Sequence, residues 1–222
     1  MTEFIELNHV LENGMPVYPG IPIPAPRFDA LLDHQASRDR YEGKAEFYLG
    51  MVTMAANTGT YLDSPFHRYP DGADLSTVPL EAVAGVPGIV LDAEPSSSRE
   101  IGVDVLQPAQ PDLRGRAVLI RTGWDARWGS DSYWEPGPYL NAAAADFLVE
   151  AGATIVGVDF WNIDDTTDAA RPVHTSLLGS NIPVVEHLGN LGALPASGFR
   201  FYAVPLRIVR GASVPVRAFA EI

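Results

Sequence analysis

Asn57-Thr58-Gly59-Thr60-Tyr61-Leu62-Asp63-Ser64-Pro65-Phe66-His67 packs a small-residue turn, a carboxylate, a proline brace and an imidazole into one short segment, which closes through Arg68-Tyr69-Pro70-Asp71-Gly72. Gly59 admits tight or left-handed backbone, and Pro65 holds the chain extended just before His67. The run from Phe47 to Ala55 that leads into the segment reads as a strand. Polar groups delivered from a strand end onto a rigid loop are a common way to build a site. Spacing alone leaves Asp63 and His67 open between a turn hydrogen-bond pair and a functional pair, because a short irregular loop does not fix where either points.

Working outward toward the N-terminus, Phe4 to Leu7 alternates like a strand and Glu12-Asn13-Gly14 turns the chain. The proline-rich run from Pro22 to Pro26 reads as an extended arm, and the mixed, charged stretch from Ala30 to Lys44 as a loop or lid. On the other side, Ser76-Thr77-Val78-Pro79 predicts a capped short helix through Ala84, stopped at Gly85. Gly88 to Ala93 and Arg116 to Arg121 are strand candidates, separated by a polar loop from Pro95 to Glu100. The clearest helix runs from Asn141, its N-cap, to Ala151, with Gly152 beyond its end, and Thr154 to Asp159 is a core strand. That strand–helix–strand order implies a parallel pair with a right-handed crossover. Phe199 to Leu206 and Val214 to Ala220 read as two further strands. The expectation is one α/β domain with a mixed sheet and more strand than helix.

At 222 residues with 46% apolar content, the chain has enough material for a real core. Its net charge of −13 argues against nucleic acid and anionic membranes as partners, since both are bound through Lys and Arg. The absence of Cys excludes disulfides, thiolate nucleophiles and Cys-type zinc sites. The acidic start Met1-Thr2-Glu3-Phe4-Ile5-Glu6 is unlike a signal peptide and no apolar run approaches a membrane span, so a cytoplasmic protein is expected.

A second cluster raises the functional reading of Asp63 and His67. Pro172-Val173-His174-Thr175-Ser176-Leu177-Leu178 places His174 near a helix start, and Ile182-Pro183-Val184-Val185-Glu186 places Glu186 at the end of a short strand. Both are plausible positions on a cleft, and both are equally compatible with a helix cap and a solvated strand end. Trp124, Trp128, Tyr133, Trp134, Tyr139 and Trp161 gather around two loops, where some can wall a pocket for a flat small molecule. Asp159 follows the core strand, and Asp164 and Asp165 read as surface-turn aspartates. His9 and His34 are taken as ordinary, and His187 as a neighbour that orients Glu186.

The opening segment resembles the His-x-Gly-Thr-His-x-Asp-x-Pro-x-His signature of the cyclase family that includes kynurenine formamidase and isatin hydrolase. Gly59, Thr60, Asp63, Pro65 and His67 match it, while Asn57 and Tyr61 stand where the family has histidines. The resemblance continues through Gly14 to Gly20, Leu119 to Trp124, Gly157-Val158-Asp159, His174 with Leu177-Leu178, Glu186, Asn190-Leu191 and Val214 to Ala218. It implies the swivelling β/β/α fold, one domain over 1–222 with a barrel-like mixed sheet and flanking helices. It also implies a homo-oligomer, dimer or tetramer, in which the arm in residues 1–44 contacts a neighbouring subunit. By position it places metal-type ligands at Asp63, His174 and Glu186, the general acid/base at His67 and a substrate contact at Tyr18.

Loss of both histidines removes one half of a binuclear site, because an amide oxygen and a neutral phenol are poor zinc ligands. The other half is retained, so one divalent metal, Zn or Mn, or none is expected. Without metal, Asp63 and Glu186 would converge as like charges, with one protonated or paired to a histidine. Tyr61 would then donate a hydrogen bond to Asp63 or to a substrate carbonyl, with Asn57 and Trp124 as further substrate contacts. Three functions follow. The first is a hydrolase or cyclase acting on a small cyclic or aromatic amide, lactone or polyketide-like carbonyl compound. The others are a metal-independent cyclase, dehydratase or isomerase using Tyr61 and His67, and a non-catalytic small-molecule binding protein; Asp63 is counted with His67 and Tyr61 among the catalytic candidates.

Overall fold

The computed structural model describes residues 2–20, 22–93, 99–106 and 112–222, so residues 95–98 of the expected polar loop lie outside the described residues. In chain order the first elements are β1 (Phe4–Glu6), β2 (Arg27–Leu32), α1 (His34–Arg40), β3 (Leu49–Thr53) and β4 (Tyr61–Asp63). There follow β5 (Val86–Asp92), β6 (Glu100–Ile101), α2 (Val103–Leu106), β7 (Ala117–Arg121), β8 (Tyr139–Leu140), α3 (Ala142–Glu150) and β9 (Ile155–Val158). The chain ends with α4 (Pro172–Gly179), β10 (Val184–Glu186), β11 (Ser197–Tyr202), β12 (Ser213–Pro215) and β13 (Phe219–Glu221).

Nine strands form one curled, mixed sheet in the order β1-β13-β11-β5-β7-β9-β10-β4-β12. Its centre, β5-β7-β9-β10, is parallel, and its flanks are antiparallel. This is the α/β single-domain architecture that the sequence implies. A parallel centre needs cover on both faces, and β7 provides it by alternation. Val118 and Ile120 point into one apolar cluster with Leu148 of α3 and Leu177 of α4, whereas Ala117 and Leu119 point into the opposite cluster with Leu62, Val185 and Phe201. Gly157 in β9 is the close-approach point of that second face. A Cβ there would lie 2.5 Å from Leu188 and 2.9 Å from Leu119, so only glycine lets these layers meet.

Helix α3 begins where the sequence places it, with the Asn141 side chain accepting from Ala144 N at 2.8 Å and Gly152 in the left-handed region at φ 78°. Three expectations are corrected. Ala30 to Lys44 is not a loop: it holds the end of β2 and all of α1, whose N-cap Asp33 accepts from Ala36 N at 2.8 Å. The helix expected up to Ala84 is a single 3₁₀ turn, Leu80–Ala82, ended by Gly85 at φ 67°. Val214 to Ala220 is not one strand but two, β12 and β13, which pair on opposite flanks of the sheet. Among the described residues no helix is long and apolar enough to cross a membrane.

Candidate active site

Strand register builds the site. In β10, β4 and β12, Glu186 lies directly across from Tyr61, and Asp63 across from Ser213. Leu62 between them turns into the core, so Tyr61 and Asp63 share the opposite face by the two-residue period of a strand. Cross-strand partners on one face sit close enough to bond. Accordingly the Tyr61 hydroxyl donates to Glu186 Oε2 and Ser213 Oγ donates to Asp63 Oδ1. Helix α4 covers this face and brings in His174, and the 3₁₀ turn Pro65–His67 directly after β4 brings in His67. Gly59, at φ 63°, lets the chain enter β4 while Leu11 packs where a Cβ would stand.

His174 is fixed from behind. Its Nδ1 is 2.6 Å from Asp164 Oδ2, and the same carboxylate accepts from Val173 N at 2.7 Å and His174 N at 3.1 Å. Asp164 is therefore a buried anchor of α4 and its imidazole, which corrects the surface-turn reading. His174 Nε2 then faces Asp63 Oδ2 at 3.6 Å and Glu186 Oε1 at 3.7 Å. Burial alone would lower its pKa, but the hydrogen bond to Asp164 and the nearby carboxylates of Asp63 and Glu186 push it up to about 10. Burial and the charge of Asp63 lift Glu186 to about 7 against the pull of His174. Burial works to raise Asp63 as well, yet His174 and His67 hold it below the usual carboxylate range. The converging-carboxylate problem is solved by placing an imidazole between them.

Tyr61 is buried, and desolvation together with Glu186 and Asp63 keeps its phenol protonated. It donates to Glu186 rather than to Asp63. Asn57 Nδ2 reaches Asp63 Oδ1 at 3.4 Å and Ser213 Oγ at 3.3 Å. Ser213 Oγ also lies 3.2 Å from His67 Nδ1, with Asp63 Oδ1 behind at 3.7 Å. The serine proton goes to Asp63, so the bond to His67 is donated by Nδ1–H, which leaves Nε2 as the nitrogen that faces substrate chemistry.

These groups open on a cavity of about 340 Å³ walled by Tyr18, Trp134, Trp161 and His187 and edged by Arg68 and Arg171. The Tyr18 and Trp161 rings stack at 5.2 Å, so the N-terminal arm closes over the cavity of its own chain. Trp124 is placed differently from the expectation: its Nε1 donates to Tyr133 O at 3.0 Å and the Arg127 guanidinium covers its ring at 3.9 Å, while Trp134 and Trp161 form the wall. His187 does not orient Glu186; its Nδ1 is 2.8 Å from the Tyr133 hydroxyl.

The sequence model of the Cyclase family matches residues 5–165. The chain belongs to the cyclase family. The kynurenine formamidase of Geobacillus thermodenitrificans is 28% identical over 220 residues, covering 98% of this chain and 97% of that protein. Isatin hydrolase A from Ralstonia solanacearum superposes with a TM-score of 0.84 at 25% identity, over 100% of this chain and 92% of that one. An isatin hydrolase bound to the product analogue thioisatinate gives a TM-score of 0.85 at 22% identity, with the same coverage of 100% and 92%. This cyclase-family chain is thus an enzyme of the hydrolase or cyclase kind.

The family implies a divalent metal, and the side chains present fit one cation only. Asp63 Oδ2 is buried with no hydrogen-bond partner, an unusual state for a carboxylate oxygen and one that a cation would relieve. Asp63, His67 and His174 each offer a ligand atom within 4.8 Å of the others, and Asp164 stands behind His174 as carboxylates stand behind metal-bound histidines. A second cation is not accommodated. Asn57 aims an N–H, not its oxygen, at Asp63, and Tyr61 occupies Glu186 Oε2. Glu186 Oε1 accepts from Ile163 N at 2.7 Å, so Glu186 is the most committed of the three expected ligands. Sequence reasoning missed Ser213 and Asp164. Neither lies in a motif; only their positions, across from Asp63 in the sheet and just beyond β9, give them roles.

Proposed function

We propose that the chain hydrolyses a small aromatic amide or lactam, with His67 as the general acid/base. The observation that carries this reading is the Asp63–Ser213–His67 relay opening on an aromatic-walled cavity. His67 Nε2 takes a proton from a water as its oxygen bonds to the carbonyl carbon, and Asp63 stabilises the resulting imidazolium through Ser213. The imidazolium then returns the proton to the departing nitrogen as the C–N bond breaks. Tyr18, Trp134 and Trp161 bind the ring and exclude bulk water. A cation bound by Asp63 and His174, with His67 or Glu186 within reach, would supply Lewis acidity and lower the pKa of a bound water from about 15.7 toward ~7.

The test pairs hydrolysis of isatin and of formylated kynurenine with elemental analysis of protein purified without a polyhistidine tag. Turnover of either compound, lost about 10²–10⁴-fold in His67→Ala, supports the reading. Turnover unchanged in His67→Ala overturns it. A second reading, metal-independent catalysis, is favoured by the Tyr61–Glu186 hydrogen bond, in which a phenolic proton rather than a cation satisfies Glu186 Oε2. It predicts full activity in metal-stripped protein.

A homo-oligomer is part of the proposal. Ribbon β2–β3 is paired outside the main sheet and leaves Leu31, Leu49, Met51 and Val52 between 42% and 60% exposed. A strand this apolar on a free ribbon suits pairing with a second copy. Light scattering on a column is expected to give a dimer or tetramer, with Val52→Lys shifting it toward monomer; a wild-type monomer at micromolar concentration refutes the oligomer.

A further inference from the structure

His187 follows Glu186 directly, yet it takes a conformation that a β-strand does not continue. Its φ is 59°, a left-handed value that glycine and asparagine tolerate far better than histidine. Three backbone-level contacts hold it there: His187 N donates to Phe160 O at 3.2 Å, its carbonyl accepts from Thr60 Oγ1 at 2.5 Å, and Leu188 N donates to Val158 O at 2.9 Å. Strained residues that persist inside such a frame are concentrated at functional sites. The effect is to swing the ring out of the β10 register and into the cavity wall, edged by Tyr61 at 5.3 Å and by Trp134 at 5.8 Å.

The tautomer follows from the partner of Nδ1. Tyr133 is fully buried, and its hydroxyl has one hydrogen-bond partner among the described residues, His187 Nδ1 at 2.8 Å. If the ring nitrogen donated, the phenolic proton would be buried with no acceptor, a worse arrangement than a satisfied bond. Tyr133 therefore donates, Nδ1 accepts, and the ring proton resides on Nε2. That nitrogen has no protein partner among the described residues, and unlike His9 Nε2 it is not sealed from the cavity space.

We infer that His187, locked by Tyr133 as the neutral Nε2–H tautomer, is a hydrogen-bond donor to the carbonyl oxygen of the substrate. The role suits a chain that has two fewer ligand histidines than its family signature. As the carbonyl carbon is attacked, negative charge gathers on its oxygen, and a fixed donor in a water-poor cavity stabilises that charge without reorganising. The inference rests on the hydrolase reading above, but its structural core, the tautomer, does not.

Two substitutions separate the donor from the scaffold. His187→Asn keeps an amide near the Nδ1 position for Tyr133 and prefers the left-handed backbone, but has nothing that reaches as far as Nε2. His187→Gln carries its amide N–H to about the Nε2 position. With isatin as probe, His187→Asn is expected to lose about 10²–10³-fold in kcat with unchanged or higher Tm, and His187→Gln to recover at least about tenfold. Wild-type kcat in His187→Asn, or equal losses in both variants, overturns the role. Nitrogen-15 NMR of the labelled protein at pH 7, assigned by difference from His187→Asn, reads the tautomer without any substrate. An unprotonated Nδ1 with a protonated Nε2 is expected, and the reverse pattern overturns the inference even if isatin is turned over. Should neither isatin nor formylated kynurenine be hydrolysed, the hydrolase reading fails on its own, and the NMR pattern together with weaker quenching of cavity tryptophans by thioisatinate in His187→Asn still decides the donor.

Discussion

At positions 57 and 61 the side chains have exchanged ligand chemistry for hydrogen bonding. Tyr61 satisfies one oxygen of Glu186, and Asn57 directs its amide toward Asp63 and Ser213. Restoring imidazoles at both should therefore reopen the lost half of the site. Asn57→His with Tyr61→His is expected to bind more zinc per chain than the wild type by elemental analysis; unchanged stoichiometry would mean that these positions do not face a further cation. Arg171 and Arg68 give another prediction at this scale. Arg171 Nη1 is held by Asn162 Oδ1 and Arg68 Nε by Thr175 Oγ1, both at 3.0 Å, which leaves further guanidinium donors at the cavity edge. In a chain with net charge −13, that local positive edge favours an anionic substituent. Arg171→Gln should raise KM for formylated kynurenine, which carries a carboxylate, about tenfold more than for neutral isatin, as read from paired initial-rate curves.

Helices and strands place those side chains, and their ends are where sequence is most informative. Asn141 announces α3 because its side chain can bond a free N–H only at a helix start. Asn141→Ala should cost about 1 kcal/mol, or roughly 2–4 °C in Tm for a chain of this length, by thermal melt. Asp159 terminates β9 by accepting from Thr122 N, Thr122 Oγ1 and Gly123 N, and it shapes the turn that starts the aromatic loop. Burial nevertheless raises its pKa to about 6. Asp33 does for α1 what Asn141 does for α3, but its helix is short and charged, so the apolar period that would have announced it is missing. Split strands are harder still. Nothing local in Val214 to Ala220 says that its two ends belong to opposite flanks of a sheet; only closure of the curled sheet separates them.

For the molecule as a whole, acid stability follows from how its histidines are housed. His9 stacks on Trp128 at 3.8 Å, its Nε2 is buried without a partner, and desolvation lowers its pKa from 6.5 to about 4. Below pH 6.5 the unfolded chain binds a proton there that the folded chain refuses until about pH 4, so stability falls as pH drops across that window. Asp159 has the opposite sign: its raised pKa makes the folded chain take up a proton first, so its contribution improves below about pH 6. His9→Phe keeps the stack and removes the titrating group. Its Tm is expected to match the wild type at pH 7.5 and exceed it at pH 5; the same Tm difference at both values would assign the acid limb elsewhere.

The sequence by itself determined the parallel centre, because a strand–helix–strand run with a capped helix has one favoured crossover. Its resemblance to the family signature implied a common set of Asp63, His67, His174 and Glu186, which their spacing alone left open. What only the tertiary structure decided is who bonds to whom within that set. Register sets Tyr61 against Glu186 and Ser213 against Asp63, and a one-residue slip would have turned Tyr61 and Asp63 into the core and Leu62 into the cavity. Register depends on the closure of nine strands drawn from both ends of the chain, and residues 63 and 213 carry no local trace of their pairing. The same holds for His187, whose sequence neighbour Glu186 suggests a partner, while its left-handed backbone turns the ring to Tyr133 instead.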